Sequence, residues 1–276
     1  MATHKTEMLK LNGSAVQVLR GGGGPPLLYL HSAAGETTWL PFHQMLAEHF
    51  DVIAPAHPGF ALSEGLDRVD SIEDWVIHYL DLLDLLKLES VDVVGLSLGG
   101  WLAAELATRN RERVRRLVLV DAAGLYIPGF DDFEFFRDPM TDPDYIPEIR
   151  KRVFYDPDSE IARLFVPDQI PFDQLLNHYK ARQATARVAW NPYFYNPKLR
   201  GRLYRVNCPT LVLWGDSDGL LPLEFARAYH EAISGSKLQV LEKCGHAPPF
   251  EKPAEFVAAV RQFLAAGSEA AAGRAR

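Results

Sequence analysis

Short apolar runs alternate along this chain with longer segments whose apolar residues recur at spacings of three and four. Leu27–His31 (LLYLH) follows a Gly/Pro punctuator at Gly21–Pro26 and reads as a buried strand. Val52–Ala54, closed by Pro55 and a Pro58-Gly59 turn, reads the same way, as do Val91–Val94, Leu117–Val120, Leu211–Leu213 and Leu238–Leu241. Between them, Ile72–Leu88 sets Trp75, Val76, Tyr79, Leu82, Leu83 and Leu86 on one face and acids on the other, which predicts a helix. Leu98–Thr108 is a second helix, rich in Ala and Leu, and Glu255–Leu264 a closing amphipathic one. The tail after Ala266 is small and polar and is expected to fray.

Strand and helix in this rhythm imply an α/β fold: a mostly parallel, doubly wound sheet covered on both faces. Two weaker alternating segments within residues 8–20 predict an antiparallel edge. The rhythm breaks over 125–205, where Pro128, Pro139, Pro143 and further prolines separate short helical stretches. Aromatics crowd this region, among them Phe130, Phe133, Phe135, Phe154, Phe165, Trp190 and Tyr193. It reads as a helical cap inserted over the C-terminal edge of the sheet, with 1–124 and 206–276 as the core.

Gly95-Leu96-Ser97-Leu98-Gly99 is a G-x-S-x-G pattern. It directly follows one predicted strand and precedes a helix, the context that gives the pattern chemical meaning. The chain must reverse sharply there, pushing the Ser97 hydroxyl out on a strained backbone. A serine hydroxyl needs an adjacent base. His246, in the loop after the strand Leu238–Leu241, emerges at the same sheet edge. His43, His49, His78, His178 and His230 fall on helical segments as packing or surface residues, while His31 and His57 sit at strand ends. Three carboxylates follow strands at that edge and are candidates to orient the base: Asp121, Asp216 and Asp218. Position alone does not separate Asp216 from Asp218.

These residues resemble the α/β-hydrolase superfamily over essentially the whole chain. The order serine, acid, histidine is that family's. The resemblance of Trp214-Gly215-Asp216-Ser217-Asp218 to its WG-x-x-D motif implies Asp218 as the acid, and GHAPPFEKP resembles its histidine loop. Asp121 matches a less common placement of the acid. The oxyanion loop, usually His-Gly-x, reads His31-Ser32-Ala33-Ala34-Gly35, which implies the Ala33 and Leu98 amides as oxyanion donors. Ser32 departs from the family's glycine, and Ala56-His57-Pro58-Gly59 departs from its D-x-P-G. No cofactor is implied.

The formal charge of -7 and the lack of a Lys/Arg run exclude a nucleic-acid partner. No membrane span is expected, and with no export signal read at the N-terminus a cytoplasmic protein is expected, its Cys208 and Cys244 as free thiols. No metal-ligand spacing occurs. The partner expected is a small-molecule ester, apolar or aromatic given the cap, and a homodimer is compatible with the pattern. His31, Arg187 and Trp190 are candidate substrate contacts, with Arg182 on the same helical stretch. The leading expectation is therefore hydrolysis of carboxylic esters through an acyl-enzyme on Ser97. Carbon–carbon bond hydrolysis of ring-cleavage dienones is the first rival, although its usual G-N-S-M-G-G elbow differs from GLSLGG. A cofactor-free haloperoxidase or perhydrolase shares the triad, and a ligand receptor on a hydrolase fold is the non-enzyme rival. Alkyl displacement is disfavoured, because it needs a carboxylate where this chain has Ser97.

Overall fold

A computed structural model describes residues 3–130 and 134–272, so Phe133 lies outside the described residues. Eight strands form one sheet in the order β1-β2-β4-β3-β5-β6-β7-β8. They are β1 (His4–Leu11), β2 (Ser14–Gly21), β3 (Pro26–Leu30), β4 (Asp51–Pro55), β5 (Val91–Leu96), β6 (Val114–Val120), β7 (Thr210–Gly215) and β8 (Lys237–Leu241). β1 and β2 pair antiparallel, β2 pairs antiparallel with β4, and every later pairing is parallel. The expected antiparallel edge is thus a hairpin. Its Asn12-Gly13 turn has positive φ at both residues, the geometry whose twist matches that of paired strands.

The helices are α1 (Pro41–Ala47), α2 (Ile72–Leu85), α3 (Leu98–Arg109), α4 (Tyr145–Val153), α5 (Glu160–Phe165), α6 (Phe172–Ala189), α7 (Leu223–Ala232), α8 (Pro248–Glu251) and α9 (Pro253–Ala272). α2 stops three residues short of its predicted span because Lys87 takes a left-handed conformation that breaks the helix. α9 runs on to Ala272 where an irregular tail after Ala266 is expected; its alanines are the strongest helix formers.

Alternate strand residues feed two buried layers. Leu28, Leu30 and Val93 face Trp75, Leu82 and Leu102 of α2 and α3. Leu27, Tyr29, Val94 and Val118 face Phe42, Leu46, Phe256 and Val260 of α1 and α9. Burial on both faces is why these strands are continuous apolar runs rather than alternating ones. Parallel strands all end at one edge, and the loops after β3, β5, β6, β7 and β8 gather there. α4, α5 and α6 lie in sequence between β6 and β7. No helix among the described residues is long and apolar enough to cross a membrane.

Candidate active site

Ser97 occupies the turn between β5 and α3 with φ 53 and ψ -113. A non-glycine residue holds such a conformation at a cost of order 1–3 kcal/mol, and only when its surroundings over-determine it. They do so here. The Ser97 N–H donates to the Val120 carbonyl, and the Ser97 carbonyl accepts from Trp101 and Ala123. The start of α3 is pressed against β3 and β5: a Cβ on Gly99 would lie 2.1 Å from the Leu30 carbonyl oxygen, and one on Gly95 would lie 2.3 Å from that of Gly99. Leu98, fully buried at the first helical position, has no intrahelical acceptor for its N–H.

His246 lies between β8 and α8 in the same cavity wall as Ser97. Its Nδ1 stands 2.7 Å from Asp218 Oδ2. A carboxylate can only accept, so Nδ1 carries the proton and Nε2 keeps the lone pair a base needs. The other Asp218 oxygen, Oδ1, accepts from the Leu220 and Leu221 N–H groups at 2.8 Å each. Asp216 faces elsewhere, its Oδ1 accepting from Ser217 Oγ at 2.7 Å and from the Cys244 N–H at 3.3 Å. Asp121 is fully buried behind Asp218 and accepts from the Gly215 N–H at 3.0 Å. The Ser97 hydroxyl makes no hydrogen bond among the described residues, and contacts of this kind often tighten only when substrate is bound.

The histidine loop is pinned from below. Glu251 accepts from the Gly245 N–H at 2.7 Å and from the Tyr155 N–H at 2.8 Å, tying the loop to the segment after α4. The His246 N–H itself donates to the Val153 carbonyl at 2.7 Å. Burial raises the Glu251 carboxyl above its ordinary range.

The loop after β3 is built around Ser32, whose carbonyl accepts from the Gly35 N–H at 3.1 Å and contacts His31 Nδ1 at 2.7 Å. His31 Nε2 accepts from the His57 N–H at 3.0 Å, so Nδ1 is the protonated nitrogen and donates to Ser32. The Ser32–Ala33 peptide is trans, so its N–H points opposite to its carbonyl, away from His31. Ala33 lines the cavity with Ser97. The serine that replaces the family's glycine has a partner: Ser32 Oγ donates to Glu36 Oε1 at 2.6 Å, and the Ser32 N–H donates to Oε2 at 2.7 Å. Burial raises the Glu36 carboxyl and pushes His31 down to about 4. His57 supports the loop from behind, donating from Nε2 to the His31 carbonyl at 3.0 Å and accepting from the Tyr79 hydroxyl at 2.6 Å.

The cavity has a volume of about 210 Å³. Phe154, Phe165 and Phe250 line it near His246, and Phe130, Phe135, Tyr193, Phe194 and Phe225 line it elsewhere. No lysine or arginine lines it among the described residues. Arg182 lies just behind the wall, 5.3 Å from the Phe135 ring, donating to the Tyr145 hydroxyl and the Arg137 carbonyl and forming no ion pair among the described residues.

None of the three substrate contacts expected from sequence lines this cavity. Arg187 turns outward, 3.4 Å from Asp70, and Trp190 is 61% exposed against Phe136, because α6 buries Ala181, Arg182, Thr185 and Val188 on its other face. His31 sits behind the cavity wall and aims the loop. Glu36 and Glu251 escaped the sequence reading. Glu36 acts on backbone four residues away and Glu251 on backbone six residues away, a spacing that exposed acids share, while the second Glu251 contact, to Tyr155, spans 96 residues and leaves no local mark.

A model of the α/β-hydrolase family matches residues 19–260. The chain is 31% identical over 261 residues to a 2-hydroxy-6-oxo-2,4-heptadienoate hydrolase of Pseudomonas putida, covering 89% of this chain and 91% of that one. It is 32% identical over 278 residues to a 2-hydroxymuconate semialdehyde hydrolase of a Pseudomonas species, covering 91% and 90%. Among solved structures, a serine hydrolase involved in carbazole degradation superposes with a TM-score of 0.79 at 22% identity, covering 95% of this chain and 99% of that one.

Proposed function

The chain belongs to the α/β-hydrolase family and is an enzyme of it, and from that membership we propose that it cleaves the carbon–carbon bond of 2-hydroxy-6-oxo-dienoate ring-cleavage products. The observation that carries this reading is full-length likeness, at 31% and 32% identity, to two hydrolases named for such substrates. It reverses the order expected from sequence, in which ester hydrolysis came first. An aromatic cavity suits a planar, conjugated substrate.

In this reading Ser97 is the nucleophile, His246 the base and Asp218 the orienting acid. Ser97 Oγ attacks the 6-oxo carbon and His246 Nε2 takes the hydroxyl proton. The Ala33 and Leu98 amides hold the oxyanion, each worth about 3 kcal/mol to the transition state. Cleavage needs the 2-keto tautomer of the substrate, in which the 2-hydroxyl proton has moved to the carbon beside the 6-oxo group. As the carbon–carbon bond breaks, its electron pair delocalises through the remaining double bond onto the 2-oxo oxygen, and His246 returns its proton to that dienolate. Water, deprotonated by the same imidazole, then releases the carboxylic acid. The segment 125–205 acts as the cap that excludes bulk water from these steps.

Ester hydrolysis is the second reading, favoured by one observation: no cation lines the cavity among the described residues, whereas a dienoate carries a carboxylate. Arg182 behind Phe135 is the group that would meet that charge if the ring swings aside. The test is steady-state turnover of a 2-hydroxy-6-oxo-dienoate, followed by loss of its conjugated absorbance, beside p-nitrophenyl esters of rising acyl length. Higher kcat/KM on the dienoate supports the proposal. Turnover of esters alone moves the assignment to the second reading. Ser97→Ala should abolish either activity.

A further inference from the structure

Two carboxyl groups, not one, stand behind His246. Asp121 follows β6 at φ 41, a left-handed conformation for a non-glycine residue, and is wholly buried. Its Oδ1 accepts from the Gly215 N–H at 3.0 Å, while Oδ2, equally buried, has no hydrogen-bond partner as a carboxylate. One ligating atom from each of Asp121, Asp218 and His246 falls within 4.8 Å of the others. Two ionised carboxylates this close in a dry site repel strongly, and the usual resolution is that one keeps a proton. Asp218 is the acid matched to the ionised state: it accepts two backbone N–H groups and the imidazole N–H. Asp121 accepts one N–H and leaves an orphaned oxygen.

We propose that Asp121 is a neutral carboxylic acid whose Oδ2–H donates to the Asp218 carboxylate, so that two buried acids share a single proton and a single negative charge behind His246. The orphaned oxygen is then a donor facing an acceptor. Burial first, and the Asp218 charge second, push the Asp121 carboxyl well above its ordinary range. The other titratable groups facing the pair are His246, Glu251 of α8, whose charge acts in the same direction, and the buried Cys244 thiol, which burial keeps neutral. The consequence falls on the base. A further donor on Asp218 fixes its carboxylate plane toward His246, and the single negative charge of the pair faces the imidazolium that forms when His246 takes the Ser97 proton. Asp121 is a positioning residue that acts through Asp218. The inference rests on the assignment of His246 as base, and neither readout below needs a substrate.

The experiment is an NMR titration of the His246 imidazole in full-length wild type and in Asp121→Asn, the signal assigned by its loss in His246→Gln. Asparagine keeps the acceptor for Gly215, keeps a donor toward Asp218 and carries no charge. If Asp121 is neutral, charge and donor are both conserved, and the His246 pKa stays within about half a unit. If Asp121 is ionised, the variant removes a negative charge beside the imidazolium, and the His246 pKa falls by about one unit or more, which overturns the proposal. An infrared difference spectrum of the same two proteins at neutral pH supplies the second arm. A carboxylic-acid carbonyl band present in wild type and missing from Asp121→Asn is expected, and its absence from wild type also overturns the proposal. Failure of the esterase and dienoate assays would count against the proposed function and leave both readouts untouched.

Discussion

His31 Nδ1 lies 2.7 Å from the Ser32 carbonyl oxygen, and that contact holds the next peptide with its N–H turned away from the imidazole. The Ala33 amide, the proposed oxyanion donor, is thus aimed by a residue that does not line the cavity. Removing an oxyanion donor outright costs about 10²–10³ in kcat. His31→Phe keeps an aromatic ring but loses the aiming bond and the acceptor for the His57 N–H, so kcat should fall about tenfold to a hundredfold with KM little changed. A kcat within a factor of two of wild type would show that the loop holds this peptide without His31.

Asp218 and Asp216 are two residues apart and have different partners: Asp218 Oδ2 meets His246, Asp216 meets Ser217 and Cys244. Asp218→Asn should lower kcat about 10⁴-fold through loss of the correct imidazole tautomer and of imidazolium stabilisation. Asp216→Asn should leave kcat within a few fold. The two single variants, assayed on the same substrate, check this directly.

Gly99 meets the Leu30 carbonyl oxygen at 2.1 Å from where a Cβ would stand, and the atom in the way is backbone. Gly99→Ala should destabilise the fold by about 3 kcal/mol or more, at the upper end of overpacking penalties. Equilibrium urea unfolding reads the change, and an unchanged midpoint would count against so tight an elbow.

His43 is fully buried in α1, where burial pushes it down to about 3 from an ordinary 6.5. Below pH 6.5 the unfolded chain binds a proton that the native one refuses. The stability that neutral His43 contributes is therefore complete above pH 6.5 and is lost as pH falls toward 3. Wild type should be more stable than His43→Asn at pH 7, and the gap should narrow by about 1.4 kcal/mol per pH unit below about 6.5. Urea unfolding of both proteins at pH 7, 6 and 5 checks the sign; a gap independent of pH would mean that folding leaves the proton affinity of His43 unchanged.

Arg182 is a buried cation that forms no ion pair among the described residues, with Asp138 as its acidic neighbour and the Phe135 ring 5.3 Å away. Arg182→Gln should raise KM for a dienoate about tenfold or more while leaving a neutral aryl ester within a few fold, since only the first carries a charge to be met. Equal effects on both substrates would make Arg182 a packing residue alone.

Much of this molecule is legible without coordinates, because its signals are local. Strand and helix periods are written within ten to twenty residues, and the apolar runs of β3, β5, β6 and β7 identify strands buried on both faces. The strand–G-x-S-x-G–helix sequence carries its own strain, so Ser97 and its glycines could be named together. Topology then follows, since parallel strands deliver their following loops to one edge, which puts Ser97, His246 and the candidate acids side by side.

What the tertiary structure decided is whatever depends on the direction in which a side chain leaves its loop or helix. Asp216 and Asp218 differ only in which one the Leu220 and Leu221 amides turn toward His246. Arg182 and Arg187 lie on one helix, and its mixture of small and charged residues marks no apolar stripe, so packing against Phe135 and Tyr145 chose the buried one. His31 and His57 turn inward because each finds a backbone carbonyl there to satisfy a ring N–H. Some of these partners are sequence neighbours, as Ser32 is to His31 and Leu220 to Asp218, and others lie tens of residues away, as Asp218 does from His246; which of them a side chain meets is fixed only once the chain has closed around it.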